Sequence, residues 1–119
     1  MPRVMIRLFA AGAVLMAVLA ASAGAQADYR DGNQLYVECS SGPETKQLLC
    51  IGYVMAIADA ARAPNAVGAA GFTVCGLEDV TVKQLLDATT RYLSAHSEER
   101  HLSAFSLVAK ALAEAFPCR

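Results

Sequence analysis

The stretch from Arg91 to His101 gathers side chains that could do acid–base or metal chemistry. It holds two histidines, two glutamates and two arginines within eleven positions, RYLSAHSEERH. Imidazoles and carboxylates are the groups that bind zinc or transfer protons in catalytic sites. His96 and His101 are five residues apart, however, unlike the i, i+4 histidine pair of a metalloprotease helix. The spacing therefore argues against a metal site.

The same residues have structural reasons to form a corner between two helices. Ser97 is a good N-cap, and Glu98 and Glu99 would then occupy the first helical turn, where negative charge is favoured. His96 falls at the end of the preceding helix, where a protonated imidazole is favoured. Ser97 and Ser103 lie in no recognisable activation motif for a nucleophile. We therefore predict a corner with no catalytic residue, metal or cofactor.

The elements that would position this corner are helices, because no alternating strand pattern is convincing. A capping-box pattern at 31–34 predicts a first helix to about Cys39. A second helix, about 43–62, is apolar around most of its circumference, which predicts the most buried helix. A closely packed neighbour would explain Gly52 in its middle. A second capping box at Thr81 begins helix three, and helix four follows with an apolar face formed by Leu102, Phe105, Val108, Leu112 and Phe116.

The first 27 residues have the pattern of a secretory signal peptide. Arg3 and Arg7 precede an uncharged apolar run of 14 residues, which is shorter than the ~20 residues that a spanning helix needs. Small residues then lead to a cleavage site after Ala27, with Ala25 as the alternative. We expect residues 1–27 to be removed and 28–119 to form one periplasmic domain with no membrane anchor.

The net charge of the mature domain limits the classes of partner that it could bind. Removing Arg3 and Arg7 leaves 10 − 2 = 8 basic residues against 11 acidic ones, a net charge of −3. No basic patch remains that could hold phosphates, so nucleic-acid binding is disfavoured.

The chain has four cysteines, all beyond the leader: Cys39, Cys50, Cys75 and Cys118. An even count in a short exported domain predicts two disulfides, whereas a zinc site is disfavoured because no CxxC spacing occurs. The up-down order of the helices favours the pairs Cys39–Cys50 and Cys75–Cys118. A fold-back of the long link before helix three would instead bring Cys75 to the opposite end. The expected fold is an all-α, disulfide-stapled bundle of about four helices.

Several landmarks resemble the Rap/Tai family of immunity proteins associated with type VI secretion. The most distinctive are the cysteine framework and the terminal Ala115-Phe116-Pro117-Cys118. The others are GNQLY at 32–36, CIGY at 50–53, ADA at 58–60, VTVKQL at 80–85 and YLSAH at 92–96.

The resemblance implies a small helical periplasmic protein, not an enzyme, that binds a toxin. In characterised members of the family that toxin is a peptidoglycan amidase, and we expect this chain to inhibit such an enzyme by occluding its active site. Homodimers occur in the family, which leaves a homodimer open here. For the inserting element we propose the loop 62–75, with Arg62, Asn65 and Phe72 as anchors, because arginine and aromatic residues tend to dominate binding energy. The other interpretation is that this alanine- and glycine-rich loop is only a flexible link. The alternative is a general periplasmic binding module or acid-stress chaperone with no cognate toxin.

Overall fold

The computed structural model describes residues 29–40, 42–63 and 73–119, and these ranges form four α-helices and no strand. The helices are α1 (Gly32–Ser40), α2 (Glu44–Arg62), α3 (Val82–Ala95) and α4 (Ala104–Ala115). A 3-10 turn, Leu77–Asp79, precedes α3, and another, Ser97–Glu99, follows it. The expected all-α bundle is confirmed. The leader lies outside the described residues, within which no helix has the length and apolarity to cross a bilayer.

Both predicted capping boxes are present. The backbone N–H of Gln34 donates to Oδ1 of Asp31 at 2.8 Å, and the N–H of Asp31 donates to Oε1 of Gln34 at 3.2 Å. At α3, the N–H of Gln84 donates to Oγ1 of Thr81 at 3.3 Å, and the reciprocal bond is 2.9 Å long. Each exchange satisfies N–H groups that the first helical turn leaves unpaired.

The core lies between all four helices, and α4 contributes the largest share of its fully buried side chains. Its buried residues are Ala104, Leu107, Val108, Ala111 and Leu112. The expectation that the second helix is the most buried is wrong. Leu48, Leu49 and Met55 on α2 are 59, 51 and 38% exposed, and a Cβ added at Gly52 would meet nothing within 4 Å. No neighbouring helix therefore explains Gly52.

The predicted start and apolar face of the fourth helix also need correction. Ser97 begins only a 3-10 turn, α4 starts at Ala104, and Leu102 and Phe105 remain 37 and 38% exposed. The physical reason is that the intervening backbone pairs with the segment before and within α1. The N–H of Gly32 donates to the Leu102 carbonyl at 3.0 Å, and the N–H of Ala104 donates to the Arg30 carbonyl at 3.0 Å.

Two disulfides close the bundle. Cys39 at the end of α1 is bonded to Cys50 on α2, and Cys75 before the first 3-10 turn is bonded to Cys118 after α4. These are the pairs that the helix order favours. Beside the second bridge, the N–H of Cys75 donates to the Phe116 carbonyl at 3.1 Å. This bond ties the end of the long link to the end of α4.

Candidate functional site

The charged stretch from Arg91 to His101 forms the corner between α3 and α4, and α1 packs against it. The Nε–H of Arg100 donates to the Leu93 carbonyl at 2.7 Å, and its guanidinium lies 3.6 Å from the ring centroid of Tyr36 on α1. Hydrogen bonds with Ser94 and Ser40, helped by the Arg100 charge, lower the pKa of Tyr36. Arg100 therefore fastens α1 to the corner.

Glu99 accepts two hydrogen bonds that brace the other side of the corner. The Tyr92 hydroxyl donates to Oε2 of Glu99 at 2.9 Å, and Nζ of Lys110 on α4 lies 3.1 Å from the same oxygen. The bond from Tyr92, followed by that from Lys110, lowers the pKa of the Glu99 carboxyl. Burial and then the bond to Glu99 raise the pKa of Tyr92 to about 12. Tyr92 is therefore neutral at physiological pH and acts as a hydrogen-bond donor.

Both histidines are used locally. The Nδ1–H of His96 donates to the Tyr92 carbonyl at 3.0 Å, and its ring stacks on that of Tyr92 with centroids 4.0 Å apart. The Nδ1–H of His101 donates to the Glu98 carbonyl at 2.9 Å. Across the described ranges, no three His, Cys, Asp or Glu side chains are arranged to hold a metal ion. What the contacts show at this corner is structural bracing.

All four cysteines are in disulfides, so none carries a free thiolate. The thiolate is the nucleophilic form of cysteine. A cysteine-based catalytic site would need one of these bonds to be reduced, and the structure contains no preformed nucleophile of this type.

Tyr36, Tyr53 and Tyr92 are buried or partly buried, but they do not line a common pocket. Tyr36 lies under Arg100, whereas Tyr53 lies 5.2 Å from the guanidinium carbon of Arg30. Tyr92 lines a groove of about 270 Å³ between α3 and α4, and neither other tyrosine lines that groove. Most of the remaining groove wall is alanine, with Arg91, His96 and Glu114 at its polar positions.

Arg62, the described member of the predicted anchor set, is exposed at the last position of α2 and lines two clefts. The first, about 140 Å³, lies between α2 and the start of α3 and is lined by Met55, Ala58, Asp59, Leu77, Val80, Val82 and Leu85. The second, about 200 Å³, includes Cys75 and Glu78. Arg62 therefore borders two clefts, one lined mostly by apolar side chains and one beside the Cys75–Cys118 bond.

The other two predicted anchors, Asn65 and Phe72, lie outside the described residues. Whether their side chains lie near Arg62 is therefore not tested by the structure. The described chain stops at Ala63 and resumes at Thr73, on either side of this segment.

The exposed apolar residues of α2, Leu48, Leu49 and Met55, could not be predicted from the sequence. Because apolar residues surround the helix, the pattern predicts that all of them are buried. Five smaller or medium-sized residues of α2 occupy the core instead: Cys50, Val54, Ile57, Ala58 and Ala61. The unexplained Gly52 among the leucines was the one sequence signal that could have marked the outer side.

Comparison with known proteins gives one family. The model of a family described as Rap1a immunity proteins matches residues 31–118, which include all four cysteines and every described helix. A search of curated proteins returned no match.

Proposed function

Because this chain belongs to the Rap1a immunity protein family, we propose that it is a periplasmic inhibitor of a peptidoglycan amidase delivered by type VI secretion. Membership of the family makes it an immunity protein against a secreted effector. Amidase recognition rests on the resemblance of the cysteine framework and the helix landmarks to family members that neutralise such enzymes. The match over residues 31–118 is the observation that carries the proposal.

Export to the periplasm is part of the same proposal. Residues 1–27 have the pattern of a signal peptide, and both disulfides are of the kind that persists in oxidising compartments. An antidote against a wall-degrading enzyme has to meet it on the wall side of the inner membrane. The protein would therefore act where its disulfides are stable.

The proposed inhibitory surface is the end of α2 around Arg62. Its guanidinium could pair with a carboxylate of the enzyme, while the apolar cleft lined by Met55, Val82 and Leu85 receives an aliphatic side chain. Inhibition by occlusion requires a surface whose shape is fixed before binding, since ordering a loop on binding costs free energy. Two features fix the shape of this surface. Arg62 is the last residue of α2, and the Cys75–Cys118 bond holds the cleft beside it.

The test pairs the exported protein with each amidase encoded beside its gene. We expect stoichiometric loss of peptidoglycan hydrolysis and rescue of cells that express the amidase in their periplasm. Arg62→Ala should weaken inhibition by about tenfold or more, the size of effect seen when a central arginine anchor is truncated. Arg91→Ala is the matched control, because Arg91 is an exposed helical arginine that lines the separate α3–α4 groove.

Unchanged hydrolysis with every neighbouring amidase would remove the amidase proposal. Inhibition that Arg62→Ala leaves intact would keep the function but reject the surface. The alternative, an acid-stress chaperone, predicts increased dye binding and client protection on acidification. A protein that shows neither down to about pH 3 would exclude that alternative.

A further inference from the structure

The groove between α3 and α4 has an apolar floor and a charged rim. It is about 270 Å³ in volume, and half of its lining residues are alanines, two on each helix: Ala88, Ala95, Ala111 and Ala115. We call it the alanine groove. Its volume lies just below the range of about 300–1,000 Å³ that is typical of small-molecule sites. It therefore has room for a small ligand whose side chains are no larger than methyl groups.

Two opposite charges line this groove without pairing with each other. Arg91 on α3 and Glu114 on α4 are both exposed, and both belong to its rim. Neither forms an ion pair with any residue that the structure describes. The Glu114 charge is still close enough to Tyr92, on the groove wall, to contribute to the raised pKa of that tyrosine. The groove therefore presents a guanidinium and a carboxylate that are not bridged.

His96 adds a hydrogen-bonding nitrogen to the same groove. Its Nδ1–H donates to the Tyr92 carbonyl, which fixes the tautomer, so Nε2 of the neutral ring is left as an acceptor. Tyr92 stacks on this ring and donates to Glu99, which is also held by Lys110 of α4. These contacts fix the spacing of α3 and α4 at the groove. A site whose shape is fixed before binding loses less free energy when it binds.

We propose that the alanine groove binds a small zwitterion, a dipeptide of small residues such as alanyl-alanine. The guanidinium of Arg91 pairs with the carboxylate of the ligand, a combination that allows two parallel hydrogen bonds. The carboxylate of Glu114 pairs with its ammonium group. The peptide N–H of the ligand donates to Nε2 of His96, and its methyl groups pack against the alanines of the floor.

The two rim charges select against other classes of small ligand. A simple anion would pair with Arg91 but would be repelled by Glu114, and a simple cation would meet the reverse. A ligand with one charge of each sign satisfies both, which is how paired attraction and repulsion give specificity. The same chemistry can come from protein, as L residues, or from cell wall, as D residues. The test therefore uses both forms.

This site goes beyond the proposed inhibition and does not depend on it. The residues that line the alanine groove are all different from those that line the two clefts at the end of α2. The test measures binding of a dipeptide and uses no amidase. Failure of this test would leave the inhibitory surface in place, and failure of the amidase assay would leave this site in place.

The first experiment titrates the exported protein with L-alanyl-L-alanine and, separately, with D-alanyl-D-alanine, followed by two-dimensional proton–nitrogen NMR. We expect saturable shifts of the backbone amides that line the groove, with a dissociation constant of about 1 mM or lower for at least one form. The form that binds more tightly identifies the source of the ligand. N-acetyl-alanyl-alanine amide has the same methyl groups but no charge, and it should give no saturable shift.

The second experiment repeats the titration with variants whose fold is checked by circular dichroism. Arg91→Gln and Glu114→Gln should each weaken binding about tenfold or more, because each removes a charge-assisted hydrogen bond. Arg62→Gln, at an exposed arginine outside the groove, is the matched control and should bind like the unchanged protein. Ala115→Leu should weaken binding by filling the groove, whereas Ala56→Leu, at an exposed alanine of α2, should not.

Three outcomes would overturn the proposal. The first is the absence of saturable shifts with either dipeptide up to about 10 mM, well above the expected dissociation constant. The second is equally tight binding of the uncharged analogue, which would mean that the rim charges do not recognise the ligand. The third is unchanged binding in either Arg91→Gln or Glu114→Gln, since the zwitterion needs both partners.

Discussion

At the scale of single residues, Gly32 lies where the start of α1 packs directly against the corner before α4. It is buried, and an added Cβ would collide with Cδ1 of Leu107 and lie 2.8 Å from the Arg100 carbonyl oxygen. The Arg100 backbone is itself held by the N–H of Asn33 at 2.9 Å, so it cannot move away without breaking that bond. Glycine here allows α1 to contact the corner directly.

We predict that Gly32→Ala lowers the free energy of unfolding by about 1–3 kcal/mol, the usual cost of overpacking. The measurement is urea unfolding followed by circular dichroism. Gly52→Ala is the comparison, because its position is open. Gly52→Ala should raise the free energy of unfolding by about 0.5–1 kcal/mol. Equal effects of the two substitutions would contradict the packing around Gly32.

The Tyr92–Glu99 pair gives a prediction for pH. The hydrogen bond from Tyr92 is the largest cause of the lowered pKa of Glu99, so Tyr92→Phe should raise that pKa towards its ordinary value. NMR titration of the glutamate carboxyl carbons measures it, and Tyr29→Phe, at a fully exposed position, is the control. A Glu99 pKa unchanged by Tyr92→Phe would show that the bond does not form in solution.

The sign for stability follows from linkage. A carboxyl whose pKa is lower in the folded state stabilises the fold above its unfolded pKa, and this contribution is lost as the pH falls through the folded value. In Glu99→Gln, the free energy of unfolding should therefore fall less steeply as the pH drops below about 4. For Tyr92 the pKa is raised, so its contribution is present below the unfolded value and is lost as the pH rises towards about 12.

At the scale of elements, helix starts that carry reciprocal side-chain caps could be predicted from sequence, because the signal is local. Asp31 with Gln34 and Thr81 with Gln84 both formed as expected. The start of α4 could not be predicted in this way, because Ser97 fits the N-cap pattern as well as Ser103, the residue that precedes α4. The deciding interactions are backbone hydrogen bonds to residues about 70 positions earlier, which no local pattern records.

Replacing an N-cap residue whose side chain makes a capping hydrogen bond should cost more stability than replacing one whose side chain makes none. Thr81→Ala removes a bond that the structure shows, and it should lower the free energy of unfolding by about 1 kcal/mol. Ser103 precedes α4, but its side chain makes no capping bond, so Ser103→Ala should change the free energy of unfolding by less than about 0.5 kcal/mol. Thermal unfolding of the two variants checks this. A larger loss in Ser103→Ala would mean that its hydroxyl caps α4 in solution.

At the scale of the whole molecule, the fold class followed from composition, periodicity and cysteine count. Which face of α2 is buried could not be predicted, because apolar residues surround that helix. Only the packing of the neighbouring helices decides which of those residues are covered. The anchor set shows the same limit. Arg62 is exposed beside two clefts, while Asn65 and Phe72 stay predictions because the structure does not describe them.

The two disulfides should contribute unequally to global stability. Their sequence separations are 11 and 43 residues. On the chain-entropy model, closing loops of these lengths stabilises by about 2.8 and about 4.0 kcal/mol. Replacing Cys75 and Cys118 with alanine should therefore lower the free energy of unfolding by about 1 kcal/mol more than replacing Cys39 and Cys50. Chemical unfolding of both double variants tests the order, and the reverse order would mean that native packing outweighs loop length.

The unequal separations also impose an order in time on the growing polypeptide. Cys50 follows Cys39 by 11 positions, whereas Cys118 follows Cys75 by 43. Because an exported chain crosses the membrane from its N-terminal end, Cys75 reaches the oxidising compartment before Cys118. During that interval it is the odd thiol beside the earlier pair, able to attack their bond by exchange. Early closure of the α1–α2 bridge and its burial by α2 would keep the nascent molecule from being trapped with the wrong partner.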